Sequence, residues 1–298
     1  MTQLTNLVQF PGLGLSFHLN RVAFSIGGVH IYWYGVCIAV GLCLALVFAF
    51  RHSIEFGVDP DGMVDVILIG VVLGIVSARA YYVAMAPFKY QSIWEMIAIR
   101  DGGLAIYGGV IAGFLTAYLF SRRRKISFWA LADCCVQGLF IGQAIGRWGN
   151  FMNREAFGAA TELPWRMRLW TSATTYMDVH PTFLYESLWN VIGLLLLYFV
   201  VSRARRFDGE NTCFYFIWYG AGRFWIEGLR TDSLYLFSTG IRVSQLVAAL
   251  CVVIGGGALA YILIKKKPNP EQLYVNQKAA REAEAAQEDA EAEKPENL

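Results

Sequence analysis

Charged side chains are scarce in this sequence. Only 16% of its 298 residues are Asp, Glu, Lys or Arg, whereas an ordinary soluble domain has roughly 25%. Hydrophobic residues make up 56%, and the mean hydropathy is +0.43. A chain with so little charge and so much apolar side-chain surface has the composition of a membrane protein, which excludes a soluble globular domain.

Three further features are missing. The basic residues are scattered and the formal net charge is only +2, so there is no continuous basic surface of the kind that binds nucleic acid. The six cysteines lie inside apolar stretches without CxxC or metal-ligand spacing, which is typical of small packing residues. The sequence has neither a His/Cys/carboxylate cluster nor a phosphate loop, so we expect no metal and no cofactor.

The sequence contains several long apolar segments. They run for about 17 to 25 residues, the length that a helix needs to cross the hydrocarbon core of a bilayer. We predict seven transmembrane helices, at residues 30–50, 64–86, 104–120, 128–150, 184–201, 212–229 and 241–264. The predicted fold class is therefore an all-α polytopic membrane protein.

The seven spans form one predicted domain, residues 30–264. Residues 1–29 lack the basic start and the cleavage pattern of a signal peptide, and we predict that they form an N-terminal interfacial segment. The longest connection, residues 151–183, is predicted as an outer-side loop. Residues 265–298 are charged and have no apolar face, which predicts a cytoplasmic tail that is a solvated helix or disordered.

Basic residues beside the span ends set the orientation. If the chain crosses seven times, the clusters on one side are Arg51, 122–125, 203–206 and 265–267. Because Lys and Arg accumulate in cytoplasmic loops, we predict that the N-terminus lies outside and the C-terminus in the cytoplasm.

Polar residues gather at the outer ends of the predicted spans. The arginines there are Arg79, Arg147, Arg223 and Arg230, and the same side holds Tyr34, Tyr107, His180 and Glu186. An arginine at the centre of a membrane helix costs roughly 2.5–3.5 kcal/mol, so each one needs a partner or a task. For Arg79 or Arg230 taken alone, snorkelling to lipid headgroups is an equally good interpretation.

The sixth span carries the most informative spacing. Arg223, Glu227 and Arg230 are separated by four and three residues and so share one helix face. One carboxylate cannot neutralise two guanidinium groups, and the surplus charge favours binding of an anion such as a phospholipid phosphate. The alternative is a purely structural Arg-Glu-Arg triad.

The fourth span combines a packing pattern with a polar end. Gly138, Gly142 and Gly146 repeat every fourth residue and predict close helix packing. The polar residues that follow are Asn150, Asn153 and Glu155. At membrane depth such groups must be satisfied by protein, water or substrate.

A glycine-rich segment, D101-G-G-L-A-I-Y-G-G109, enters the third span from outside. Glycines allow a ligand to approach the backbone closely, and they serve tight helix packing equally well. With Tyr107 inside the segment and the arginines on the same side, we predict that Gly102 and Gly103 border a ligand pocket.

These motifs together resemble one known family. The segment G146-R-W-G-N-F-M-N-R-E-A-F-G158 is similar to the signature of the prolipoprotein diacylglyceryl transferases. Further similar segments follow in the family's order: Y32-W-Y-G35, D101 to G109, H180-P-T-F-L-Y-E186 and G220-A-G-R-F-W-I-E-G-L-R230. The resemblance covers about residues 30–264.

The resemblance implies a seven-helix transferase of the bacterial plasma (inner) membrane. Such an enzyme takes the diacylglyceryl group from phosphatidylglycerol and attaches it through a thioether to the lipobox cysteine of a preprolipoprotein, releasing glycerol phosphate. This is the first step of lipoprotein maturation. The implied partners are phosphatidylglycerol, preprolipoprotein signal peptides and membrane lipid, with the active site toward the outer leaflet.

The resemblance also assigns residues. It implies that Arg147 and Arg223 are catalytic, and we expect them to stabilise the phosphate that departs when a thiolate attacks the glycerol carbon. Expected substrate-binding residues are Tyr34, Arg79, Gly102, Gly103, Asn150, Asn153, Glu155, Gly158, His180, Glu186, Glu227 and Arg230. One position departs from the family, because several members have His where this chain has Tyr107. We keep Tyr107 as the third catalytic candidate, although a tyrosine accepts a thiol proton only if its pKa of about 10 is lowered, for instance by an arginine.

Two other function classes compete with this interpretation. A transporter or flippase of anionic lipids requires polar residues through both leaflets, whereas the cytoplasmic halves of the spans are nearly pure Leu, Val, Ile and Phe. An intramembrane serine protease requires a mid-span histidine, and none of His18, His30, His52 and His180 lies mid-span.

Overall fold

The computed structural model describes residues 6–86, 88, 90–99, 102–172, 174–236 and 239–292. Its helices are α1 (Trp33–His52), α2 (Pro60–Met85), α3 (Ile93–Ile97), α4 (Ile106–Arg124), α5 (Phe128–Asn153), α6 (Thr182–Leu196), α7 (Glu210–Leu229), α8 (Val243–Tyr261) and α9 (Tyr274–Ala292). Six short strands are β1 (Leu7–Phe10), β2 (Leu15–His18), β3 (Val22–Ile26), β4 (Val29–Tyr32), β5 (Met167–Trp170) and β6 (Tyr176–Val179).

Five helical segments in the described part of the chain are long and apolar enough to cross a membrane. They are Trp33–Phe56, Pro60–Met85, Phe128–Asn153, Thr182–Val201 and Val243–Lys266. The other two predicted spans, 104–120 and 212–229, coincide with α4 and α7, which are helices of 19 and 20 residues with several charged side chains. The chain is thus a mostly helical membrane protein.

The strands were not predicted from the sequence. Most of them occupy parts of the predicted interfacial segment and outer loop, whereas β4 covers the first residues of the predicted span 30–50, so α1 begins only at Trp33. The strands form an antiparallel sheet in the order β2-β1-β5-β6 and a separate β3-β4 hairpin. Val8 of β1 pairs with Leu169 of β5, 161 positions later. Asp101, which was placed in the glycine-rich segment, lies outside the described residues.

The chain divides into two compact units. The first comprises Met1–Val47, Val136–Arg205 and Glu210–Pro268, and the second comprises Phe48–Cys135, Arg206–Gly209 and Asn269–Leu298.

In the first unit, the sheet covers the ends of two helices. Its inward side chains pack in one hydrophobic cluster with Phe151 at the end of α5 and Phe183 at the start of α6. These two rings stack with centroids 4.5 Å apart. This contact fixes the end of one apolar helix against the beginning of the next, where the polar motifs lie.

Small residues bring the helices of the first unit close together, as the glycine repeat predicted. A Cβ added to Gly142 would have open space, but one on Gly41 of α1 would lie 3.3 Å from the Gly142 Cα. Likewise, a Cβ on Gly220 of α7 would lie 2.6 Å from the Ala248 carbonyl oxygen of α8. Glycine at these positions permits near contact of the backbones.

The second unit packs α2 against α4. A Cβ on Gly108 would lie 2.4 Å from the Ser77 carbonyl oxygen, so this crossing also depends on glycine. Near the C-terminus, Leu273 is buried and the Tyr274 N–H donates to Asp208 at 3.0 Å. From there α9 continues as a largely exposed helix with many acidic residues.

Candidate active site

A single buried carboxylate joins arginines from two different helices. Glu186 of α6 is 5% exposed, and its Oε2 lies 2.6 Å from Nη2 of Arg147 on α5. Its Oε1 accepts a hydrogen bond of 3.0 Å from Nη1 of Arg223 on α7. The two arginines are 22% and 16% exposed, so each keeps part of its guanidinium accessible. The structure therefore brings the two candidate catalytic arginines together.

The predicted shared face of α7 is confirmed. Nη2 of Arg223 lies 2.7 Å from Oε2 of Glu227, and Nε of Arg230 lies 4.0 Å from the same oxygen. Glu227 is only 2% exposed, so its charge depends on these partners. Arg230 also reaches Glu186 at 3.8 Å, which links the two carboxylates into one network.

The charge count differs from the prediction. Arg230 forms two hydrogen bonds with Asp232, from Nε at 2.9 Å and from Nη2 at 2.7 Å. Three guanidinium groups thus face the three carboxylates that contact them directly, and the surplus expected from residues 223–230 disappears once Glu186 and Asp232 are included. Asp232 is 49% exposed, whereas the other two acids are buried. Water screens the pairing with Asp232 more strongly than the buried pairs, so Asp232 offsets the positive charge of the cluster less than the two buried acids do.

The polar turn at the end of α5 belongs to the same network. Arg147 donates from Nη1 to Oδ1 of Asn150 at 3.2 Å. Oε1 of Glu155 then accepts hydrogen bonds from the amides of Asn150 and Asn153, at 3.0 and 3.2 Å. Each amide is held in one orientation, because its nitrogen faces an acid. The turn thus holds Nη1 of Arg147, while Glu186 holds Nη2.

Tyr34 packs on this turn. A Cβ on Gly149 would lie 2.8 Å from Cδ2 of Tyr34, so glycine lets the ring approach the α5 backbone beside Asn150. The tyrosine is 39% exposed. It can therefore contact a ligand that reaches the turn.

Gly158 and His180 join the loop to the cluster. The Gly158 N–H donates to the His180 carbonyl at 3.0 Å, and Gly158 also forms an isolated β-bridge with Arg230. A Cβ at Gly158 would lie 2.7 Å from His180 Cβ, so only glycine fits between them. The His180 ring lies 3.3 Å from the Tyr185 hydroxyl, and burial lowers the pKa of His180. Backbone contacts thus account for Gly158, and His180 is a neutral, partly buried ring near neutral pH.

Arg79, Gly102, Gly103 and Tyr107 lie in the second unit. The buried Arg79 donates to four backbone carbonyls, with Nη1 on Gly102 and Gly103 at 2.7 and 2.9 Å. Its Nε and Nη2 donate to Met96 and Glu95 at 2.8 and 2.7 Å. Arg79 thus anchors the loop before α4, a role that differs from both snorkelling and substrate binding. Tyr107 lies in the first turn of α4 and is 41% exposed.

A pair of tryptophans that the sequence did not predict joins α6 to α7. Trp189 donates from Nε1 to the Trp218 carbonyl at 2.8 Å, and Trp218 donates to the Trp189 carbonyl at 2.9 Å. The rings stack 4.5 Å apart. Glycines receive the indoles, because a Cβ on Gly222 or Gly193 would lie 2.2 or 2.5 Å from one of them. The glycines and tryptophans of this contact lie on two different helices, so no local sequence pattern indicates it. Asp232 lies only two residues after Arg230, and this short spacing could have indicated their ion pair.

Replacing Gly222 with Ala is expected to destabilise the protein by about 1–3 kcal/mol, the usual effect of overpacking. The added methyl group would collide with Trp189 and separate Glu186 from Arg223. The measurement is the thermal unfolding midpoint in detergent. Gly256→Ala on α8 is the matched control, because a Cβ there meets open space. Equal midpoints for the two variants would contradict the tight contact.

The chain is similar to known proteins over most of its length. The family model of prolipoprotein diacylglyceryl transferase matches residues 21–261. A protein of Lysinibacillus sphaericus (strain C3-41) named phosphatidylglycerol--prolipoprotein diacylglyceryl transferase is 41% identical over 264 residues, which cover 85% of this chain and 96% of the relative. A protein of the same name from Finegoldia magna is 43% identical over 238 residues, 80% of this chain and 93% of its own length. The chain therefore belongs to the prolipoprotein diacylglyceryl transferase family.

Proposed function

We propose that this protein transfers the diacylglyceryl group of phosphatidylglycerol to the thiol of a prolipoprotein lipobox cysteine. Family membership and the names of its relatives support this assignment. The structural observation that carries it is the meeting of Arg147 and Arg223 on Glu186. Two partly exposed guanidinium groups from separate helices provide paired donors for the oxygens of one phosphate.

The proposed reaction is a substitution at the glycerol carbon that bears the phosphate ester. The cysteine sulfur forms a bond to that carbon, the carbon–oxygen bond breaks, and its electron pair leaves with the phosphate oxygen. The products are a thioether and glycerol phosphate, and the thiol proton passes to a base or to the departing phosphate. The nucleophile thus belongs to the prolipoprotein and not to the enzyme.

Arg147 and Arg223 are the proposed electrostatic catalysts. Negative charge grows on the leaving phosphate as the bond breaks, and donors that are already oriented stabilise it without reorganisation. Glu186, Glu227 and the Asn150–Glu155 turn hold the guanidinium groups in place. The same positive charge lowers the pKa of an approaching thiol. We propose Tyr107 as a proton acceptor solely because it lies in the glycine-rich motif, at the position where several family members have His.

The proposed arrangement has seven spans, with α4 and α7 crossing together with the five more apolar segments. The basic clusters support an outside N-terminus, a cytoplasmic C-terminus and an active site toward the outer leaflet of the bacterial plasma membrane. Arginines near span ends are then close to headgroups, where a charged side chain is least costly.

Incubation of the purified protein with phosphatidylglycerol and a lipobox peptide tests this proposal. We expect mass spectrometry to show the peptide with an added diacylglyceryl group, and the same peptide with Ser in place of Cys to stay unmodified. A flippase of anionic lipids would move a labelled phosphatidylglycerol across vesicles without forming this product. Lipid movement without a thioether product would therefore contradict the transferase assignment.

A further inference from the structure

A second pair of arginines lies next to a cavity on the sheet side of the first unit. The cavity has a volume of about 270 Å³ and is partly open to its surroundings. Its lining includes Arg21, Arg154, Phe157, Leu169, Trp170 and Met177. Two cations and several apolar or aromatic side chains thus share one concave surface, the combination that binds small amphipathic ligands.

Neither arginine of this pair has an acidic partner within the part of the chain that the structure describes. Arg21 donates from Nη2 to the Asn153 carbonyl at 3.1 Å. The buried Nε of Arg154 has no hydrogen-bond acceptor among the described residues. Burial, together with the positive charge of Arg21, lowers the pKa of Arg154. The two like charges therefore destabilise each other, and an anion between them would relieve both the repulsion and the unmet donor.

Two arginines at the start of β5 are arranged differently. Arg166 and Arg168 both donate to Asp178, at distances of 2.7–3.0 Å. These hydrogen bonds hold the pKa of Asp178 below its usual value. Asp178 thus neutralises charge on Arg166 and Arg168, whereas Arg21 and Arg154 have no acidic partner among the described residues.

The backbone of Arg154 also sets it apart. Its φ angle is +54°, in the left-handed region that costs a residue other than glycine about 1–2 kcal/mol. The turn directs Arg154 into the cavity while the preceding Asn153 amide stays on Glu155. The second pair is therefore attached to the Arg147 network through Asn153 and Glu155, the two neighbours of Arg154 in the chain, and the Asn153 carbonyl also accepts a hydrogen bond from Arg21.

We propose that Arg21 and Arg154 form a second anion site, which binds a phosphate group carrying a small organic substituent. A guanidinium pair matches phosphate oxygens, and Trp170 and Phe157 provide apolar contact for the substituent. The cavity is at the lower end of ligand-pocket volumes, about 300–1,000 Å³, so it suits a small phosphate ester or a lipid headgroup without its chains. We choose glycerol phosphate as the free phosphate ester because it is the leaving group in the proposed function. The proposal of a second anion site does not depend on that function.

The test uses the full-length protein in detergent with Arg147→Gln, which weakens binding at the proposed first phosphate site. Calorimetric titration with glycerol phosphate is expected to show that the second site still binds, and adding Arg154→Gly is expected to weaken that binding about tenfold or more. Glycine adopts a positive φ without strain, so we expect the variant with Arg154→Gly to be at least as stable as the protein with Arg154. Arg21→Gln should weaken binding in the same direction. Arg203→Gln is the matched control, because this exposed arginine lies over the Phe199 ring and its side chain forms no ion pair with a described residue.

A second titration uses vesicles that contain phosphatidylglycerol or only phosphatidylcholine. If Arg154→Gly weakens phosphatidylglycerol binding but not glycerol phosphate binding, the site accepts the lipid headgroup. If both probes bind equally to the Arg147→Gln proteins with Arg154→Gly and with Arg203→Gln, the second anion site does not exist. Transfer activity of Arg147→Gln alone tests the proposed function separately, so the two failures are distinguishable.

Discussion

Replacing Arg147 with Gln is expected to reduce diacylglyceryl transfer by roughly 10²–10³-fold, the usual effect of removing one preorganised donor to a developing negative charge. Gln keeps a polar side chain but loses the charge and the paired donors. Arg223→Gln is expected to have an effect of similar size, because both guanidinium groups meet at Glu186. The measurement is thioether formation by the purified variants at saturating lipid.

The controls separate chemistry from folding. In Arg147→Gln, Glu186 keeps its contact with Arg223 at 3.0 Å, so the protein should remain folded and inserted. The double variant Arg147→Gln with Arg223→Gln should lose little more activity than either single variant, since residues that act on one group are not additive. Full activity in either single variant would rule out the assigned role.

Replacing Glu186 with Gln is expected to affect both stability and activity. This carboxylate is the shared partner of Arg147 and Arg223, and breaking a buried ion pair by removing one partner costs about 3–5 kcal/mol. The two guanidinium groups would then repel each other and move apart. We expect a lower unfolding midpoint in detergent together with a large loss of transfer.

Asp232→Asn is the matched control for this prediction. Asp232 also pairs with an arginine of the cluster, but it is 49% exposed, and exposed ion pairs contribute about 0–1 kcal/mol. Its replacement should change the midpoint little. If Glu186→Gln and Asp232→Asn have the same small effect, Glu186 is not the organising group of the cluster.

Local spacing was the strongest guide that the sequence offered. The helical interval from Arg223 to Glu227 placed both side chains on one face, and their 2.7 Å contact follows from that interval. The glycine repeat of α5 likewise predicted a close helix contact. Both are properties of a single helix, so neither required knowledge of the tertiary structure.

The sequence did not predict contacts between residues that lie far apart along the chain. Glu186 joins two arginines that lie 39 and 37 positions away, and no helical period relates them. The pairing of β1 with β5 brings together Val8 and Leu169, which lie 161 positions apart. Arg79 shows a third limit, because its partners are backbone carbonyls, which every residue possesses and which no side-chain pattern can indicate.

The position of Glu186 bears on how the enzyme turns over. A phosphate bound by Arg147 and Arg223, as proposed, would share them with a carboxylate already in contact with both. This sharing would keep the net gain from phosphate binding modest, so the spent headgroup could leave instead of inhibiting the enzyme. Glu186 would also keep the two guanidinium groups oriented for the next lipid.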